Sequence, residues 1–111
     1  MIKVIKSVPF GATTPEEVNE YTDYYKLLEC TMFDVVYIDY KGTPLSLFID
    51  DEGMMKANNL GRLVEGYPQP LFGTIVITGS VDDEGETLSV PDWFTTEDAI
   101  KIIGTVQWKV K

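Results

Sequence analysis

Any bond-making chemistry in this chain has to proceed without an imidazole: its 111 residues include eighteen carboxylates, one cysteine and no histidine. A serine triad lacks its base, and the ordinary zinc sites of histidine and cysteine cannot be assembled. Cys30 ends Leu27-Leu28-Glu29-Cys30, after an expected helix, and reads as a packed thiol with nothing to activate it. Carboxylates are numerous enough to leave a glycosidase-like pair or a magnesium site open on composition alone. They fall in expected turns and at helix starts, however, where solvation and capping account for them. Asp50-Asp51-Glu52-Gly53 lacks the alternating acidic ligands and distal glutamate of a calcium loop. No phosphate-loop or dinucleotide glycine pattern occurs. The sequence points away from an enzyme, a metal or a cofactor and towards a protein that works by binding.

The charge limits what is bound. Nine basic residues against eighteen acidic ones leave a net charge of -9, which repels nucleic-acid phosphates and anionic lipid. A basic partner, or a protein that itself binds nucleic acid, is favoured; the same charge is also what keeps a small protein soluble. The candidate partner-binding carboxylates are Glu16, Glu17, Glu20 and Asp23 along an expected helix, and Asp82, Asp83, Glu84 and Glu86 in an acidic turn. Six tyrosines add interface-forming side chains. Tyr21 and Tyr25 are assigned to the core and Tyr24 to the surface. An alternative is a sponge for a small signalling nucleotide, which needs a basic pocket; Lys56, Asn58, Asn59, Arg62 and Tyr67 are its candidates. The plainer reading of Arg62 is an ion pair with a nearby carboxylate.

These residues need elements to hold them. Residues 2 to 8 read as a strand that stops at Pro9-Phe10-Gly11. Thr14-Pro15-Glu16-Glu17 has the form of a capping box with proline at the first helical position. It predicts a helix to about Cys30, with Val18, Tyr21, Tyr25 and Leu28 as its apolar stripe. Val35 to Tyr40 and Leu45 to Ile49 read as a hairpin around Lys41-Gly42-Thr43-Pro44. Residues 54 to 71 read as an ordered loop whose start begins a short helix or pairs as a strand. Phe72 to Gly79 reads as a central, buried strand, with Gly73 at a bulge or a close approach. A second helix starts near Thr95 or Thr96, turns Ile100 and Ile103 inwards and stops at Gly104. Thr105 to Val110 alternates as a final strand, with Val106, Trp108 and Val110 on one face.

The expected fold is α+β: a small antiparallel or mixed sheet of about five strands with two helices packed on it, residues 1 to 111 forming a single domain. A hairpin edge is open to a partner strand or to a second copy, so a homodimer is compatible with the pattern. With one cysteine, no apolar leader and no run of about 20 apolar residues, a cytoplasmic location is expected.

Several stretches resemble one family. They are Met1-Ile2-Lys3-Val4-Ile5, Val35-Val36-Tyr37-Ile38-Asp39, Leu47-Phe48-Ile49-Asp50-Asp51-Glu52-Gly53, Asn58-Asn59 with Leu63, Phe72 through Gly79, and Phe94-Thr95-Thr96-Glu97-Asp98. The pattern is similar to a group of short uncharacterised domains of bacteriophages and mobile elements, domain-of-unknown-function family 3846. Thr14 to Cys30 and the tail from Thr105 fit it less well. The resemblance carries no catalytic residues. It implies an accessory protein in a host cytoplasm that inhibits or modulates a host defence or nucleic-acid-binding protein, for instance by imitating the charge of DNA. A nucleotide sponge and a structural or assembly role without catalysis are the alternatives.

Overall fold

The β-branched and aromatic runs pair into a five-stranded sheet. A computed structural model describes residues 1–9, 11–55, 60–103 and 107–109. The sheet comprises β1 (Ile2–Ser7), β2 (Thr13–Val18), β3 (Phe33–Tyr40), β4 (Thr43–Asp50) and β7 (Ile75–Gly79), in the order β2-β1-β7-β4-β3. Every pairing in it is antiparallel. A smaller antiparallel sheet runs β6-β5-β8, from β5 (Leu60–Arg62), β6 (Leu71–Phe72) and β8 (Gln107–Lys109). Two helices, α1 (Asp23–Leu28) and α2 (Thr96–Ile103), complete the α+β architecture.

Alternation along the strands divides the core in two. Ile5, Ile38, Leu45, Leu47, Ile75 and Ile77 join Phe94 and the α2 residues Ala99, Ile102 and Ile103 in the larger cluster. The opposite face supplies Val4, Val18, Phe48 and Val76 to a smaller cluster with Tyr24 and Leu28 of α1. The strand β7 is third of five and buried throughout, as the density of β-branched residues predicts. Gly73, with φ of 87°, separates it from β6.

The β3–β4 hairpin turns on Lys41 and Gly42 alone, both at positive φ, which suits a two-residue turn matched to strand twist. Thr43 and Pro44, expected in the turn, belong to β4. Pro44 is tolerated because β4 meets β7 only from Leu45 onwards. The start of α2 bears out its capping signal: Thr95 N–H donates to Asp98 Oδ2 at 2.9 Å, and Asp98 N–H donates back to Thr95 Oγ1 at 3.4 Å. The Tyr40 hydroxyl also reaches Asp98, at 3.2 Å, tying α2 to β3. Ile100, expected in the core, is exposed, because Ala99, Ile102 and Ile103 make up the buried stripe.

The largest correction concerns residues 14 to 30. Thr13–Val18 is a strand, not the first turns of a helix, and pairs with β1 from Ile2↔Val18 to Ser7↔Thr13. Because β2 is the outermost strand, Pro15 is tolerated there without an N–H. The expected capping hydroxyl of Thr14 donates instead to Glu16 Oε2 at 2.9 Å. The helix is left with six residues, and its phase changes. Tyr24 and Leu28, four apart, are buried, whereas Tyr21 is 68% exposed. This reverses the assignment of Tyr24 to the surface and Tyr21 to the core.

The segment after residue 53 contains a 3-10 turn at Gly53–Met55 and then β5, so the strand alternative holds at Leu60. Gly104, Thr105, Val106 and Val110 lie outside the described residues. Among the described residues no helix is long and apolar enough to cross a membrane.

Candidate functional site

Backbone pairing draws two acidic segments, distant in sequence, to the N-terminal end of β1. The register Ile2↔Val18 delivers Asn19, Glu20 and Tyr21 there as the chain leaves β2. From the other side, Lys3 N–H donates to Ser89 Oγ at 2.9 Å and Val90 N–H donates to the Lys3 carbonyl at 3.0 Å. This strap along β1 brings Glu86 and Thr87 alongside.

Between the two segments lies a cleft of about 210 Å³. Ile2 and Val18 give it apolar walls, Glu20 and Glu86 carry its negative charge, and Tyr21 and Tyr24 contribute rings. Tyr24 is 3% exposed and stacked on Phe48, with centroids 3.9 Å apart and planes 2° from parallel. Among the described residues none stands in good hydrogen-bonding geometry to its hydroxyl. Burial pushes the Tyr24 phenol up to about 12, and the Thr87 side chain beside it offsets the rise only in part. The group is therefore neutral at ordinary pH, a buried donor and acceptor without a partner, which is costly unless something supplies one.

The flanking turns are rigid for local reasons. Asp23 Oδ2 accepts from Asn19 N–H at 2.8 Å and Glu20 N–H at 3.2 Å, and these bonds, the first foremost, hold its carboxyl below the usual range. Asp82 Oδ1 accepts from the N–H groups of Glu84 and Glu86, each at 2.9 Å, while Gly85 takes the positive φ that the turn requires. Asp23 and Asp82 thus shape the site, and Glu20, Asp83, Glu84 and Glu86 are exposed, as is Asp82.

The structure therefore gathers Glu20, Asp23, Tyr24, Asp82, Asp83, Glu84 and Glu86 at one end of the molecule. Glu16 and Glu17 stand apart. They border a groove with Lys3 and Pro15 on the edge strand, and Glu17 is the cross-strand partner of Lys3. The expected row of carboxylates along one helix does not form. Sequence reasoning missed Asn19, Tyr21 and Thr87. Tyr21 adjoins Glu20 in the chain, but nothing local announces that Thr87 comes to meet it.

The basic set fares differently. Arg62 is 4% exposed, and its donors reach Ser7 Oγ at 2.7 Å, the Ser7 carbonyl at 2.9 Å and the Gly73 carbonyl at 3.1 Å. Among the described residues no carboxylate pairs with it, contrary to the expected ion pair, and burial pulls its pKa down to about 10. Its bonds fasten the small sheet to the large one and explain the close approach at Gly73. Tyr67 is half-buried against the larger core cluster, in a hollow it shares with Asp34, Asp50 and Asp51. Lys56, Asn58 and Asn59 lie outside the described residues. Among the described residues no group of three or more metal-ligating side chains is placed to hold an ion.

Paired antiparallel sheets and two helices define a small α+β domain with an acidic, tyrosine-lined cleft at one end. The chain belongs to the family described as Domain of unknown function (DUF3846), whose model matches residues 2–101. No curated protein and no solved structure matches it significantly.

Proposed function

We propose that this protein acts by binding, as an accessory factor of a phage or mobile element that inhibits or modulates a basic, nucleic-acid-binding or defence protein of its host. The observation that carries this reading is the convergence of Glu20 and Glu86, from segments more than sixty residues apart, beside the exposed ring of Tyr21. A net charge of -9 adds long-range attraction for a basic surface. Tyrosine supplies contact area with a polar tip. The sequence offers no imidazole for acid–base work.

The nucleotide sponge is less well supported, since the central cation proposed for it is buried and committed to Ser7 and Gly73. No observation favours a purely structural role over binding.

The test is capture from host lysate at rising ionic strength. The expected result is a basic protein retained at low salt, released as salt rises, and lost when Glu20 and Glu86 are both changed to lysine in a chain that still folds. Capture unaffected by salt and by Glu20→Lys/Glu86→Lys would refute the reading.

A further inference from the structure

We infer that Asp34 is a gatekeeper: its carboxylate closes the outer edge of β3 to strand pairing with a second copy of this chain. This stands apart from the acidic cleft and does not depend on the binding function. β3 is the last strand of the five, and among the described residues no strand pairs with its outer side. Its stretch Phe33-Asp34-Val35-Val36-Tyr37-Ile38 is β-branched and aromatic, lacks proline and glycine, and carries a single charge. Such a composition makes an exposed strand edge prone to pair with its own kind. The other outermost strand, β2, carries Pro15 as its obstacle.

The hairpin turn fixes which backbone groups face outwards. Lys41 and Gly42 both have positive φ, and a turn of that kind bonds Tyr40 to Thr43. Hydrogen-bonded pairs alternate along an antiparallel ladder. Ile38, Val36 and Asp34 therefore direct their backbone groups at β4, and Asp39, Tyr37, Val35 and Phe33 direct theirs away from it. The hydrogen bonds agree with this phase. The Met32 carbonyl accepts from Asp51 N–H at 3.0 Å, on the β4 side. Val35 N–H, on the outer side, donates to Asp34 Oδ1 at 2.8 Å. The one charged side chain of the stretch thus covers an N–H that an added strand would need.

The occupant is a second copy because the edge is complementary to itself. A two-fold pairing centred on Val35 sets Val35 opposite Val35 and Phe33 opposite Tyr37 on one face, with Asp34 opposite Val36 on the other. No like charges meet, and aromatic and β-branched pairs of this kind favour a sheet. Tyr37 is 64% exposed, and Phe33 and Val35 are half-buried, so apolar surface remains there to cover. Further along the edge the chain at Gly66 comes close: a Cβ there would stand 3.6 Å from the Asp39 carbonyl oxygen. Pairing is thereby confined to the half from Phe33 to Tyr37, whose central N–H is the one that Asp34 holds.

The test is sedimentation velocity of the full chain over a range of concentrations, with hydrogen exchange to locate the contact. Asp34→Ala should begin to dimerise at a concentration about ten- to a hundredfold below that of the parent, since the freed N–H makes one bond from each copy. Asp83→Ala, which removes the same charge from the acidic turn, should behave as the parent does. In Asp34→Ala the amides of Val35 and Tyr37 should exchange more slowly as concentration rises. A variant that stays monomeric wherever the parent does would overturn the inference. So would association that leaves the Val35 and Tyr37 amides unchanged, or an equal effect of Asp83→Ala.

Discussion

Replacing Arg62 by methionine sets two large opposed terms against each other. Arg62 is 4% exposed, with no opposing charge against it among the described residues. Burial lowers its pKa to about 10, which at ~1.36 kcal/mol per pH unit makes burial of the charge cost on the order of 3 kcal/mol. The sign follows from proton binding. Above pH 10 the unfolded chain holds this proton more tightly than the folded one, so this contribution to stability rises with pH there. Below pH 10, and hence at neutral pH, the full cost is present. Three hydrogen bonds from a charged donor, to Ser7 Oγ and two carbonyls, return ~1.5–3 kcal/mol each. The buried Nε, which has no partner, offsets about 1–3 kcal/mol of this, and the remaining balance favours the native arginine. Arg62→Met removes the desolvation cost but leaves the Ser7 and Gly73 carbonyls without that donor in a dry interior. The expected loss is about 2–4 kcal/mol, a fall in Tm of at least ~10 °C for a domain of this size. Urea unfolding followed by tryptophan fluorescence measures it, and an unchanged m-value shows that the surface exposed on unfolding is the same. A variant as stable as the parent, or more so, would refute the reasoning: burying the ion would then cost more than its bonds return, as happens at some buried ion pairs.

Two further outcomes follow from the same geometry. A Cβ at Gly79 would press into the carbonyl oxygen of Ser89, with the Leu88 oxygen at 3.1 Å, and neither backbone group can swing aside; Gly79→Ala should cost ~1–3 kcal/mol and loosen the strap that carries Glu86, and urea stability within ~0.5 kcal/mol of the parent would contradict this. The Tyr24 phenol, at about 12 against an ordinary 10.0, keeps its proton in the folded state after the unfolded chain has lost it, so its contribution to stability, opposite in sign to that of Arg62, should fall as pH rises from 10 towards 12 and be unaffected below 10; a phenolate absorbance titration of Tyr24→Phe should lack the late step, and a curve superimposable on the parent's would show the assignment to be wrong.

Signals carried within a few residues are legible in the amino-acid order itself. The Lys41-Gly42 turn between two β-branched runs specifies its hairpin, because a two-residue loop permits few registers. Thr95 and Asp98 announce α2 because a cap is satisfied locally. Five consecutive small, β-branched or glycine positions from Ile75 mark a strand that is buried on both faces. The acidic turn at Asp82 is closed by its own carboxylate. Thr14-Pro15-Glu16-Glu17 shows the limit of such reasoning: the same residues suit a helix start or an edge strand, and the choice fell to β1, whose open side needed a partner.

What the amino-acid order determined alone was the chemistry available: no imidazole, excess carboxylate, enough β-branched and aromatic side chains for a layered α+β core, and family membership over residues 2–101. What only the tertiary structure decided was which of those groups meet. Shortening of α1 turned Tyr24 inwards onto Phe48, the strap along β1 brought Glu86 to Glu20, and sheet-to-sheet packing consumed Arg62. Composition and spacing act through local propensity and solvation. A cleft and a buried cation depend on contacts between segments many residues apart, and their energies exist only once the chain has closed on itself.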